Sequence, residues 1–192
     1  SSVFGDNNKW GIFPSGALAW KLSNEKFLQD NANISNLKFR VSYGVTGNQA
    51  ITPYQSLTQI STGGTGLDYP TNGSSLSLGS AFEKIANPDL KWEKTAQADI
   101  GLDMSLFNYR LNLTADYYHK RTSDLLSSRT LASQSGFSSV LQNVGEVENK
   151  GFEFLLDGTL ITADNFNWTA GINVTFNKNK VLELSTPEEE RI

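Results

Sequence analysis

The sequence contains no cysteine, one histidine and one methionine among its 192 residues. A chain without cysteine forms neither a disulfide framework nor a thiolate metal site. A single histidine does not supply the clustered ligands that a zinc site requires. We therefore expect no metal site and no cofactor.

Long apolar runs and concentrated positive charge are also missing. No stretch approaches the ~18 consecutive apolar residues of a membrane-spanning helix. The net charge is −4 and the lysines and arginines are scattered, so the chain has no electrostatic footprint for nucleic acid. If the protein lies in a membrane, it must cross it as strands. Ser1 does not begin a signal peptide. Because the chain does not start with Met and its end at Ile192 follows an acidic loop run, we expect it to be a piece of a longer protein.

Aromatic residues make up 11% of the chain, and the clearest pattern that contains them runs from Asn165 to Asn177. Apolar and polar side chains alternate strictly there, which predicts a strand with one apolar and one polar face. Its apolar face has aromatic residues at both ends, as in strands whose ends lie at lipid headgroup level. A strand in a soluble β-sandwich alternates in the same way, so this segment by itself leaves both possibilities open. The soluble alternative usually has Lys, Glu or Asp on its wet face, whereas this face has only Asn, Thr and Gly.

Similar alternation predicts strands at 17–22, 37–43, 95–104, 109–118 and 151–160. The connections between them alternate between long and short. A polar segment of some fifty residues without clear pattern starts at Gly44, and another runs from Arg121 to Glu146, whereas Leu106–Asn108 and Thr162–Asn165 are tight turns. Outer-membrane barrels have long outer loops and short periplasmic turns, while a sandwich has no reason to place all its long loops at one end.

The predicted fold class is therefore all-β, an antiparallel transmembrane β-barrel section of about six strands. The polar face is expected to border a wet lumen. The predicted lipid-facing residues are Leu111, Leu113, Phe152, Phe154, Phe166, Trp168, Ile172, Val174 and Phe176.

The sequence gives little support for a catalytic site. His119, Ser123 and Asp124 lie within six positions at a strand end and lack the geometry of a nucleophilic triad. Paired acid–base chemistry requires carboxylates at a defined separation in a pocket. The inward carboxylates are more simply explained as lumen residues that pair with Arg110 or Lys120; they are Asp99, Asp103, Asp116, Glu153 and Asp157. No catalytic residue is predicted.

Several separate motifs resemble the SusC/RagA family of TonB-linked outer-membrane transporters. They follow the order in which that family has them: Thr46-Gly-Asn-Gln49, Asn87-Pro-Asp-Leu-Lys-Trp-Glu93, Asp116-Tyr-Tyr118, Ser123-Asp-Leu-Leu126, Ser135-Gly-Phe137, Gln142-Asn-Val-Gly145, Glu148-Asn-Lys-Gly-Phe-Glu153 and Phe176-Asn-Lys-Asn179. The match covers most of the chain and is least evident from Thr58 to Ala86.

The resemblance implies a barrel of about twenty-two strands with a plug inside it. It also implies import of glycan or peptide fragments, a SusD-like surface lipoprotein as lid and energy from the TonB complex. The whole chain, 1–192, is then an internal barrel section that shows neither the plug nor the TonB-contacting segment, and no enzyme activity is expected.

Residues on the outer loops are predicted to meet the ligand, because loops on a rigid scaffold usually carry recognition. They are Asn48, Gln49, Tyr54, Tyr69, Trp92 and Phe137. For Trp92 the alternative is an anchor at the outer interface. The alternative for the whole chain is a soluble carbohydrate-binding or adhesin module, in which Tyr54, Tyr69 and Trp92 would stack on sugar rings.

Overall fold

The computed structural model describes residues 4, 8–29, 31–49, 51–53, 56–62, 69–71, 75–77, 79–137 and 139–184. Its main feature is one six-stranded antiparallel sheet. The strands of this sheet are β1 (Ser15–Lys21), β2 (Ile34–Asn48), β7 (Glu93–Leu106), β8 (Leu111–Ser123), β11 (Glu146–Ala163) and β12 (Phe166–Glu183). Two-stranded sheets occupy the long connections, formed by β3 (Gln59–Thr62) with β6 (Ser80–Lys84), β4 (Tyr69–Thr71) with β5 (Ser75–Ser77), and β9 (Leu126–Thr130) with β10 (Ser139–Asn143).

The six strands lie side by side in chain order, β1-β2-β7-β8-β11-β12, and each pairs antiparallel with the next. This arrangement is a meander, the local topology of an up-and-down barrel. Within the described residues β1 and β12 each pair on one side only, so the sheet is an open wall. The predicted all-β antiparallel class is confirmed.

The pairing register divides the sheet into two faces. Phe152 lies opposite Tyr117 on β8 and Phe176 on β12, and Leu156 lies opposite Leu113 and Ile172. All nine residues predicted to face lipid share this apolar face, which we call the outer face. Large hydrophobic side chains on it stay exposed, for example Phe176 at 63% and Ile172 at 58%. The other face, which we call the inner face, carries the polar side chains.

The tight turn between β7 and β8 matches the prediction. Phe107, Asn108 and Tyr109 adopt positive φ angles of 54°, 57° and 63°. Left-handed backbone at successive residues reverses the chain within a few positions, and asparagine tolerates it better than most residues. β11 and β12 are likewise joined by only Asp164 and Asn165.

The strands are longer than the alternation predicted, which corrects the proposed ends at Gly151 and Asn177. β11 starts at Glu146 and β12 continues to Glu183, so each has 18 residues. The added segments pair through polar and charged residues, with Glu148 opposite Lys180 and Lys150 opposite Lys178. Ladder hydrogen bonds extend a strand whether or not its side chains alternate, and alternation is all that the sequence displays.

The long connections contain more structure than predicted. β2 continues through Gly44 to Asn48, five residues into the segment where no pattern is visible. The β9–β10 hairpin lies within the segment from Arg121 to Glu146. Short strands with mixed side chains give no periodic signal, which explains why they were missed. No helix in the described residues is long and apolar enough to cross a membrane.

Candidate functional site

An ion-pair network crosses three strands on the inner face. Arg40 on β2 donates to both oxygens of Asp103 on β7, from Nε to Oδ2 and from Nη2 to Oδ1, each at 2.9 Å. The same Nη2 donates to Asp116 Oδ1 on β8 at 2.9 Å. Lys38 adds a contact from Nζ to Asp103 Oδ2 at 2.9 Å. We call these four residues the Arg40 network. Its guanidinium fork holds two carboxylates at a fixed separation in the wall.

Gly101 makes the Arg40 network possible. It lies opposite Arg40 on β2 and Asp116 on β8. A Cβ at this position would stand 2.6 Å from Arg40 Nη2 and would also overlap the Asp116 carboxylate. The missing side chain therefore leaves the path along which Arg40 crosses β7 to reach the next strand.

The network corrects the predicted partners of the inward carboxylates. Asp103 and Asp116 pair with Arg40 and Lys38, not with Arg110 or Lys120. Arg110 lies in the β7–β8 turn, where Nη2 donates to the carbonyl oxygens of Thr159 and Leu160. Strand register determines which charges meet, and the sequence does not display the register.

Other inner-face carboxylates accept hydrogen bonds from neutral side chains. Asp99 accepts from Ser42 Oγ at 3.2 Å and from Gln97 Nε2 at 2.9 Å. Asp157 accepts from Asn112 Nδ2 at 3.0 Å. A groove of about 490 Å³ runs beside Asp99, over β2 and between its two neighbours β1 and β7. The inner face thus presents both hydrogen-bond donors and hydrogen-bond acceptors. Such a surface is suited to water and hydrated solutes.

The residues considered for a triad do not converge. His119 Nε2 lies 2.8 Å from Glu148 Oε1 on the neighbouring strand, and Asp124 pairs with Lys91 Nζ at 2.9 Å. Within the ranges that the structure describes, no group of His, Asp and Glu is placed to hold a metal ion.

The side chain of Asn143 joins two of the long connections. Its Nδ2 donates to the Lys91 carbonyl at 2.7 Å and to the Asp124 carbonyl at 3.0 Å, and its Oδ1 accepts from the Lys91 amide at 2.9 Å. Asn87 adds a bond from Nδ2 to the Leu141 carbonyl at 2.7 Å. We call this group the loop junction. It connects two of the resembling motifs, Asn87–Glu93 and Gln142–Gly145, so these motifs fix the bases of the loops.

Trp92 lies beside the loop junction within an aromatic cluster. Its ring centroid is 5.2 Å from that of Phe4 and 5.3 Å from that of Phe13, and its indole N–H donates to the Asn8 carbonyl at 3.2 Å. Phe4 is 2% exposed, and Leu90 in the adjacent motif is fully buried. This small core ties the N-terminal segment to the β6–β7 connection. The ring packs against protein in this core, and both roles considered for Trp92, ligand contact and an anchor at the outer interface, stay predictions.

Three of the other predicted ligand-contacting residues, Asn48, Gln49 and Phe137, lie on the side of the sheet from which the long connections leave. Asn48 ends β2, and its Nδ2 donates to Glu93 Oε1 at 3.3 Å. Gln49 follows it and is exposed, and Phe137 is half-buried at the tip of the β9–β10 hairpin. Tyr69 begins β4, with its side chain outside the description, and Tyr54 lies outside the described residues altogether. The structure brings Asn48 and Trp92 to the same strand end, and the role of all five stays a prediction.

The sequence of residues 1–189 matches the family model described as TonB dependent receptor-like, beta-barrel. The chain belongs to this family. It is 45% identical over 184 residues to "TonB-dependent receptor P3" of Formosa agariphila and 36% identical over 187 residues to "TonB-dependent receptor SusC" of Bacteroides thetaiotaomicron, covering 96% of this chain in both cases. Each alignment covers 18% of the relative, so the chain spans about a fifth of these proteins' length.

Solved structures agree with this assignment. The chain superimposes on the RagAB peptide importer in its closed-closed state with a TM-score of 0.84 and 33% identity, covering 95% of this chain and 19% of that chain. The open-open state gives 0.83. The protein is therefore a TonB-dependent receptor barrel section of SusC/RagA type, located in the outer membrane. This family does not fit the alternative of a soluble binding module.

Proposed function

We propose that this section forms part of the wall of a transporter that imports glycan or peptide fragments across the outer membrane. The observation that carries the proposal is the contrast between the two faces of one sheet. The outer face exposes aromatic and aliphatic side chains, which requires a lipid environment, while the inner face carries the Arg40 network and neutral hydrogen-bonding groups. A wall of this kind separates lipid from a hydrated passage.

The inner face suits ligands that are polar and multiply hydrogen-bonded. Asp99, Asp116 and Asp157 accept hydrogen bonds, while Ser42, Gln97 and Asn112 donate them. Glycans and peptides both present closely spaced donors and acceptors, so the face fits either class. The name of one structural neighbour, a peptide importer, supports the peptide class, and the resemblance to the SusC/RagA family implies both classes.

The long connections are proposed to contact the ligand and a SusD-like lipoprotein that covers the pore. In the described residues, the β2–β7 and β8–β11 connections leave the same end of the sheet, and the loop junction holds both by their bases. TonB-transmitted energy would act through parts of the transporter other than this wall section.

Deleting residues 131–138 from the full-length transporter tests this division of labour. The segment closes the β9–β10 hairpin and supplies no residue to the six-stranded sheet. The barrel should therefore still assemble, while uptake of the growth-supporting glycan or peptide should fall. Inserting a tag after Asn108 is the control, because it disrupts a tight turn and should lower the amount of assembled barrel. Normal uptake after the deletion, with either ligand class, would refute a ligand-contacting role for this hairpin.

A further inference from the structure

Two rows of side chains lie one above the other on the outer face, across β8, β11 and β12. The register places Tyr117, Phe152 and Phe176 side by side, and we call them the aromatic row. Two residues farther along each strand, toward the long connections, His119, Lys150 and Lys178 form the basic row. At about 3.3 Å per residue and a tilt near 40°, the basic row lies about 5 Å beyond the aromatic row.

The aromatic row marks the edge of the apolar band. The rings of Tyr117 and Phe152 pack with centroids 4.7 Å apart, and Phe152 stacks on Phe154 at 6.4 Å. Aromatic rings gather at the level of lipid headgroups in membrane barrels. The basic row therefore lies where lipid phosphates are found.

The positive charge of this region is only partly compensated. Glu148 lies one row farther out and contacts both His119 Nε2, at 2.8 Å, and Lys150 Nζ, at 3.0 Å. Arg121 is paired with Glu146. In the part of the chain that the structure describes, Lys178 and Lys180 form no ion pair.

A solvated surface could carry scattered lysines without any ligand, but the pairing here is specific. Lys150 and Lys178 lie directly opposite each other on adjacent strands. Like charges in that position destabilise a sheet, and one anion between them would reverse the sign of the interaction. Both lysines border a surface pocket of about 470 Å³ whose floor is Tyr117, Phe152 and Phe176. The pocket thus joins an apolar floor to a cationic rim.

We propose that the basic row binds the phosphate of an anionic lipid in the outer leaflet, with one acyl chain on the aromatic row. Lys150 and Lys178 hold the phosphate, and their aliphatic stems cover the start of the chain. Charge complementarity selects this occupant, because a neutral lipid or an apolar protein face would leave Lys178 without an anionic partner directly opposite Lys150. The proposal depends on the orientation of the long connections toward the outside and is independent of the ligand imported through the lumen.

Native mass spectrometry of the full-length transporter in detergent tests the site. The probes are a synthetic monophosphoryl lipid A and the same lipid without its phosphate. The double variant Lys150→Gln/Lys178→Gln should bind the phosphorylated probe about 30-fold more weakly at low salt, since each lysine near an anionic lipid contributes roughly five-fold. Lys150→Arg/Lys178→Arg should keep the affinity, and added salt should weaken binding to the unchanged protein.

Lys21→Gln/Lys26→Gln is the matched control. It removes the same charge from exposed lysines at the opposite end of the sheet and should leave probe binding unchanged. Heat-modifiable migration confirms that each variant barrel has assembled, and uptake of the imported ligand is measured separately. Equal binding of both probes, or equal affinity of the Gln variant and the unchanged protein, would overturn the proposal. A change in oligomeric state without a change in lipid binding would assign the face to a protein partner and would also overturn it.

Discussion

Alanine should be tolerated very differently at three glycines of the inner face, Gly101, Gly151 and Gly171. At Gly171 the nearest atom to a new Cβ is Asp157 Cβ at 3.6 Å, an ordinary contact. At Gly101 the new Cβ would meet the charged ends of Arg40 and Asp116. At Gly151 it would overlap the backbone carbonyl oxygen of Phe176 and stand 2.9 Å from the Tyr118 hydroxyl.

The expected change in the free energy of unfolding depends on whether the atoms next to the new Cβ can move away. Replacing glycine with alanine stabilises by about 0.4–1 kcal/mol where the backbone accepts it, which is the expectation for Gly171→Ala. At Gly101 the side-chain ends can swing aside, and the change loses the Arg40–Asp116 contact. That pair is about a third exposed and contributes about 0.5–1 kcal/mol, so the net effect is close to zero. At Gly151 the carbonyl belongs to the β11–β12 ladder. Overpacking costs about 1–3 kcal/mol and a lost ladder bond about 1 kcal/mol more, for a net loss of roughly 2–3 kcal/mol.

Urea unfolding of the full-length transporter in lipid vesicles measures the three free energies. A second measurement uses a protein that already has the change Asp116→Asn. Because the Arg40–Asp116 ion pair is then already lost, Gly101→Ala should be mildly stabilising in this protein. If the free energies of unfolding of the Gly151→Ala and Gly171→Ala proteins differ by less than about 0.5 kcal/mol, the reasoning is refuted. A difference that small is typical of surface substitutions that disturb no contact.

Three shorter predictions concern orientation and the loops. Ile172→Arg should destabilise the barrel folded in vesicles by roughly 2–4 kcal/mol, whereas Asn173→Lys on the inner face should cost little; equal effects would contradict the assigned faces. A cysteine at Ser135 should react with a membrane-impermeant reagent on intact cells while one at Asn108 is protected, and the reverse labelling would overturn the topology. Asn143→Ala removes three hydrogen bonds of the loop junction, so surface protease should cut the long connections faster while the barrel keeps its heat-modifiable migration; unchanged cleavage would show that the junction does not order the loops.

The division of the sheet into two faces was predictable because it depends on a period of two that each strand displays by itself. Phe152, Ile172 and Phe176 were assigned to one face from sequence, and the register places them there. The family could also be assigned from sequence, since the motifs occur in the right order along the chain. Local alternation and local motifs need no knowledge of which strands are neighbours.

The features that sequence reasoning missed all depend on non-local pairing. Arg40 and Asp116 are 76 residues apart, and they meet only because β2, β7 and β8 are adjacent and Gly101 lies between them. The role of Asn143 likewise depends on a partner, Lys91, that is 52 residues away. One signal was available: a glycine in mid-strand indicates a close approach by another group, and Gly101 lies in the middle of β7.

The length of β11 and β12 sets the height at which the long connections begin. A strand of 18 residues tilted near 40° rises about 45 Å, while the apolar band of an outer-membrane barrel is about 25 Å tall. Because the turn between them is tight, most of the excess, on the order of 20 Å, stands as a paired wall outside the lipid. The β9–β10 hairpin therefore starts from a rigid, paired part of the wall that lies beyond the lipid headgroups. A lid that bound there would open and close without touching the membrane.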